Sequence, residues 1–262
     1  LLFAGAPFTD VTTTDSGAVW SFTRSGTTWT QQTIIKPNSP IYQEYFGSSV
    51  AISGITYYTR RLLVGATGSL GGRWYSYDSL VSAPYWGSQA VYNKPGFTAA
   101  NFDEFGGCVC ITPDKNYTFV SGYAASFGYT YPTLNVGLGA RYTFNGASYT
   151  NNSVFYPTSS ISYSYTGSCV RISDDGKKIF FVNQLADYGG YTDVGNVFVY
   201  ISPFQDVGGG TVLNSYFQAI QPPVLANNIL LGYAYSNSSM GINSDGSIIA
   251  VGAPYGTGGS VF

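Results

Sequence analysis

Histidine is absent from the 262-residue sequence, and charged side chains of either sign make up only 9% of it, against about 25% in an ordinary soluble domain. The missing imidazole removes the commonest general base, the usual Ser-His-Asp arrangement and most transition-metal sites. Hydrolysis would have to rest on the 13 acidic residues. These are scattered, mostly in turns such as those at Asp114, Asp174, Asp175 and Asp245, where a carboxylate ordinarily solvates a hairpin. An enzyme with two carboxylates facing one cleft is therefore the least supported class, and no catalytic residue is assigned. Eleven basic residues give a formal charge of −2 without a Lys/Arg stripe to neutralise phosphates, so nucleic acid is not an expected partner. Apolar runs are short. The longest, such as ILLGYAY, are strand-length and far from the roughly 18 residues that cross a bilayer, so membrane insertion is not expected. The first residue is Leu1 rather than Met, which reads as a removed export signal or as part of a longer protein.

What is plentiful is glycine (33), tyrosine (24) and aromatic side chains generally (17%). Aromatic and β-branched residues suit a pleated, half-buried surface, while Gly and Pro punctuate turns and disfavour helix interiors, so an all-β chain with almost no helix is expected. A surface so poor in charge associates unless it is covered by glycan or by neighbours, which points to an extracellular or cell-surface protein. N-glycosylation signals occur at Asn116, Asn151 and Asn237, although Ser/Thr-rich sequence yields such triplets readily. Tyrosine clusters such as GYTYP, ISYSYTG and LGYAYS could stack on sugar rings or fill a core.

The chain repeats itself. One phrase reads YFGSSVAIS (45–53), EFGGCVCIT (104–112), YTGSCVRIS (165–173) and, more loosely, YSNSSMGIN (235–243), with closing isoleucines 59, 61 and 70 residues apart. A second couples a short apolar run to a Gly-rich loop and an alternating strand. LLFAGAP leads to SGAVWSF, LLVGATG to GGRWYSY, YTFVSGY to LGARYTF, IFFVNQL to VGNVFVY and IIAVGAP to GGSVF. Its marker glycines are Gly17, Gly72, Gly139, Gly195 and Gly259. A third alternating phrase ends at Pro37, Pro95, Pro157 and Pro222, as suits an outer strand, because proline cannot donate to a ladder. Each unit thus reads as four antiparallel strands, A to D, the signature of a β-propeller blade. Five units are expected at about 1–40, 41–97, 98–159, 160–225 and 226–262 within a single domain. They contain eighteen strands, with A missing from the first unit and D from the last. Small residues of strand A (Ser49, Ala51, Ser53) would crowd the axis, and bulky strand C residues such as Trp74, Tyr75 and Tyr77 would fill the space between blades.

FGSSVAIS (46–53), GAP (5–7), VGAP (251–254) and GAVWSFTRSGTTWTQQ (17–32) resemble the FG-GAP repeats of integrin α-subunit heads and of bacterial and algal surface proteins. The likeness continues more weakly over the whole chain. It implies a β-propeller, seven-bladed in that family, so the five units could be part of a larger ring. That family often holds calcium in the B–C loop. Here only Asp187 with Asp193, and more loosely Asp10 with Asp15, could supply carboxylates, and no other cofactor is expected. Cys108 and Cys110 share a strand face, and Cys169 repeats the position of Cys108 one blade later. An oxidising compartment would allow a disulfide from Cys169 to Cys108 or Cys110, the alternative being buried free thiols.

The leading expectation is a non-catalytic extracellular structural or adhesion protein that associates with copies of itself in a surface or filamentous assembly, through strand edges left for partners. The rival is a ligand-binding, receptor-type propeller that recognises a protein or glycan, with or without calcium.

Overall fold

The computed structural model describes residues 1–53, 59–68, 71–80, 86–94, 104–123, 137–155, 165–202, 204, 211–213, 218–233, 239–255 and 259–262. Within them the chain is an all-β propeller of five consecutive antiparallel blades, without an α-helix. The first blade orders β1 (Leu2–Ala6), β2 (Ala18–Ser25) and β3 (Thr28–Ile35) side by side. The second contains β4 (Phe46–Ile52), β5 (Thr59–Ala66), β6 (Arg73–Leu80) and β7 (Trp86–Asn93). The third is built from β8 (Cys108–Ile111), β9 (Tyr117–Gly122), β10 (Leu138–Phe144) and β11 (Tyr149–Phe155). In the fourth, β12 (Thr166–Ile172), β13 (Lys178–Asn183), β14 (Asn196–Ile201) and β16 (Gln218–Ile220) pair in that order. The fifth comprises β17 (Met240–Ile242), β18 (Ile249–Ala253) and β19 (Ser260–Val261). These are the eighteen strands expected. A nineteenth, β15 (Thr211–Leu213), leaves the fourth blade between β14 and β16 and pairs parallel to β11 on the outer edge of the third.

Alternation places the core between blades, in four clusters. Val19, Phe46, Leu62, Tyr75 and Tyr77 fill the first seam, and Leu63, Trp74, Phe105, Val109 and Leu138 the second. Phe119, Phe155, Val170, Ile172 and Phe181 fill the third, with Phe180, Val182, Val197, Leu231 and Met240 in the fourth. Each such side chain contributes about 1.5–3 kcal/mol when fully buried. Trp74, fully buried, stacks on Tyr92 at 4.1 Å, so the bulky strand C residues occupy the space expected of them.

The seams close on main-chain atoms. The glycine before strand C lies at positive φ in the first four blades (Gly17 +81°, Gly72 +84°, Gly137 +82°, Gly195 +76°). A Cβ there would strike the backbone of Phe46, Phe105, Thr166 or Leu231 in the next blade. Two corrections to the repeat follow. In the third blade the marker is Gly137, since Gly139 sits inside β10 against the Phe119 ring. In the fifth, the turn that opens strand A is Leu230-Leu231-Gly232 rather than a segment starting at Tyr235. Leu230 has the same left-handed conformation as Tyr45, Glu104 and Tyr165, and Gly232 the same sign of φ as Gly47, Gly106 and Gly167. Ile242 follows Gly232 by 10 residues where Ile172 follows Gly167 by 5, which accounts for part of the 70-residue spacing, and the longer fourth unit, with 65 residues from Gly167 to Gly232, accounts for the rest.

Candidate functional site

Because strand A starts at the FG turn and its neighbours alternate in direction, all B–C and D–A connections return to one end of the propeller. The A–B and C–D turns lie at the other. Acidic residues at the far end serve the turns themselves. Oδ1 of Asp114, Asp175 and Asp245 accepts the N–H two residues on, from Asn116 (2.9 Å), Lys177 (3.0 Å) and Ser247 (3.0 Å). The Ser173 hydroxyl also donates to Asp175 at 2.6 Å. Hydrogen bonding from Ser173 and from Ser247 holds the Asp175 and Asp245 carboxyls below their usual range.

The aspartates expected as calcium ligands tie the FG end together. Asp187 Oδ1 accepts the Asp193 N–H at 2.9 Å, and Asp10 Oδ1 accepts that of Asp15 at 2.7 Å. Asp15 and Asp193 both adopt positive φ, and their carbonyls accept the N–H of Tyr45 (3.1 Å) and Leu230 (3.0 Å) in the following blade. The carboxylates thus hold a left-handed loop residue that docks on the next FG turn. Among the described residues no three His, Cys, Asp or Glu side chains gather as a metal cluster. Asn116 is exposed in its turn, whereas the Asn151 amide donates to the Arg141 carbonyl at 3.1 Å within the sheet. Asn237 lies outside the described residues, as do GYTYP, Pro95 and Pro157.

Buried charge is consumed at the seams. Arg61 is cross-strand to Asp78 and forks onto it through Nε and Nη2, both at 2.7 Å, while its guanidinium lies 3.9 Å from the Phe144 ring centre of the next blade. Burial opposes its charge, but Asp78 and Tyr149 outweigh that and raise its pKa. Glu44, fully buried, accepts hydrogen bonds from the Tyr75 hydroxyl and, at 3.2 Å, the Ile41 N–H, and lies 3.6 Å from Arg73 Nε. Burial and this bond push the Tyr75 phenol up. Arg141 stacks over Tyr117 at 4.3 Å and Phe204 at 5.0 Å. Glu104, paired with Tyr123, has its pKa raised by burial. Sequence reasoning missed all of these. The Arg61–Asp78 pair was legible in principle, because pairing strand B antiparallel to strand C sets the two opposite each other.

Among the described residues, two surfaces are open to a ligand. One is a cavity of about 460 Å³ between the inner strands, walled by Ser49, Ala51, Cys108, Cys110 and Ile172, with Arg171 as its one charged lining residue among those described. The other is the FG end, where, among the described residues, five of the seven exposed aromatic side chains lie in the connections: Phe8, Tyr42, Tyr188, Tyr191 and Tyr255. Tyr188 and Tyr191 exchange both backbone hydrogen bonds at 3.0 Å. Gly189 and Gly190 between them take φ of +61° and +84°, as a type I′ turn requires. This short hairpin presents two phenol rings from paired positions, beside Asp187 and Asp193.

No family model and no curated protein matches the chain. Among solved structures it is similar to TolB from Acinetobacter baumannii, at 15% identity and a TM-score of 0.47, with 94% of this chain aligned to 45% of that one. It is also similar to an acylaminoacyl peptidase in complex with Z-Gly-Gly-Phe-chloromethyl ketone, at 8% identity and a TM-score of 0.36 over 78% of this chain and 28% of that one. The chain spans less than half the length of either. Neither likeness bears on a site in this chain.

Proposed function

We propose that the chain is a non-catalytic, extracellular adhesion propeller of FG-GAP type that attaches to glycan-bearing surfaces through its FG end. The concentration of exposed aromatic side chains in the connections at that end, among the described residues, carries this reading. Phenol and phenyl faces stack on the C–H faces of sugars, and the neighbouring carboxylates accept hydrogen bonds from hydroxyls. The use of the buried ionisable groups at seams, and of the acidic residues in turns and loop clamps, supports the non-catalytic part. The second reading, self-association into a surface or filamentous assembly, is favoured by the low charge of the chain.

The test is a glycan array probed with the intact protein and with a Y188S/Y191S variant, alongside sedimentation velocity. Saturable glycan binding lost in the variant supports attachment to glycans. Concentration-dependent growth that the variant reverses supports self-association instead. A protein that binds no glycan and whose sedimentation the variant leaves unchanged removes any role for this face.

A further inference from the structure

The thiols belong to the inner strands rather than to the exposed loops of the FG end, and Cys108 of the third blade reaches the inner strand of the fourth. Cys108 on β8 and Cys169 on β12 hold the same repeat position in adjacent inner strands. Cys108 Sγ accepts the Val170 N–H at 3.4 Å. Since Val170 follows Cys169 directly, bond geometry alone puts the Cys108 sulfur within about 6 Å of the Cys169 Cα. Each thiol shifts the ionisation of the other, and Arg171 Nη1 lies 4.0 Å from Cys108 Sγ. Cys108, aided by Arg171, draws the Cys169 thiol down, while Cys108 itself moves up. Cys110 is differently placed. Its thiol donates to the Phe119 carbonyl of its own blade at 3.7 Å, and burial pushes its pKa up to about 12. A link from Cys110 to Cys108 would have to span two residues of one extended strand, about 6.6 Å, at the edge of disulfide geometry.

We propose that Cys108 and Cys169, free thiols in this structure, are a thiol–disulfide couple that staples the third blade to the fourth, formed with a low-molecular-weight disulfide such as oxidised glutathione while the chain folds. The Cys169 thiolate attacks one glutathione sulfur, forming a mixed disulfide and releasing one glutathione thiolate. Cys108 gives its proton to that thiolate and attacks the Cys169 sulfur, releasing the second glutathione. Two protein thiols are oxidised by two electrons, and one glutathione disulfide becomes two glutathione thiols. Folding supplies the access that the closed seam denies, since both side chains are buried in the finished blades. The inference is independent of the glycan-binding reading.

The test refolds the intact chain in a glutathione redox buffer, alkylates it, and maps non-reduced peptides with fragmentation that separates Cys108 from Cys110. The expected product is a 108–169 link with Cys110 alkylated. A loop of about 60 residues predicts a melting temperature raised by about 10 °C and lost on reduction. C110S should keep both the link and the shift, and C169S should lose both. Three alkylated cysteines, a stable glutathione adduct, a link through Cys110, or a C110S variant unable to form the link would each overturn the proposal. Because C110S retains both proposed partners, the outcome does not depend on C169S folding.

Discussion

Replacing Gly72 by alanine tests whether main-chain contact holds the blades together. The new Cβ would stand 2.1 Å from the Phe105 carbonyl oxygen and 2.5 Å from its nitrogen, so the second and third blades must separate by about 1 Å to reach ordinary contact. Left-handed alanine costs about 1–2 kcal/mol, and overpacking against a rigid neighbour about 1–3 kcal/mol more. The total, about 2–5 kcal/mol, corresponds to a loss of about 10 °C in melting temperature. Gly190 provides the control, for its φ is also +84° and no atom lies within 4 Å of its missing Cβ. G190A should therefore carry the conformational cost alone and lose about 4 °C. Thermal and urea unfolding followed by the fluorescence of buried Trp74 would measure both. Equal losses in the two variants would refute a seam built on backbone contact, whatever their absolute size.

Removing Asp78 should harm the protein more than removing Arg61, because the arginine it strands has only 7% of its side chain exposed, against 40% for Asp78. Urea unfolding should give about 3 kcal/mol for D78A, less for R61M, and a double variant more stable than D78A alone. Acid should weaken the A–B turns: the carboxyl pKa values of Asp175 and Asp245 are lowered on folding, so their contribution is present above about pH 4 and lost as pH falls below it. A D175N/D245N variant should show a shallower stability loss between pH 5 and pH 2, and an unchanged slope would refute the assignment. Glu104 acts with the opposite sign, since its raised pKa means that folding takes up a proton there, and its contribution falls as pH rises above about 4.3. E104Q should therefore be more stable than the parent at pH 7, as read by melting temperature, with little difference at pH 4.

The blades were readable because each strand type leaves a periodic signature in apolar and small residues, repeated closely enough to align by eye. What escaped were features fixed by backbone conformation. Gly137 and Gly139 look alike as letters, but only Gly137 has the positive φ and the contact with Thr166 that the seam demands. Leu230-Leu231-Gly232 keeps the conformation of the FG turn without its aromatic residue, so a search for the phrase passes over it. The strand β15 is three residues long and pairs outside its own blade, a choice that local propensity does not encode. At the FG end, the individual loop tyrosines were visible, but their gathering there depends on strand direction in every blade at once. The aspartates read as calcium ligands have the chemistry for it, and the hydrogen bonds they accept from the N–H groups of Asp15 and Asp193 leave no trace in composition.

A joint made from carbonyls, amides and absent side chains carries no address. The first-blade glycine that meets Phe46 and the second-blade glycine that meets Phe105 present the same surface, so at this point of contact one seam is built like the other. Complementarity between particular pairs then has to come from the side chains that fill each seam. A duplicated blade would inherit this main-chain joint unchanged and would have to adjust only the side chains around it.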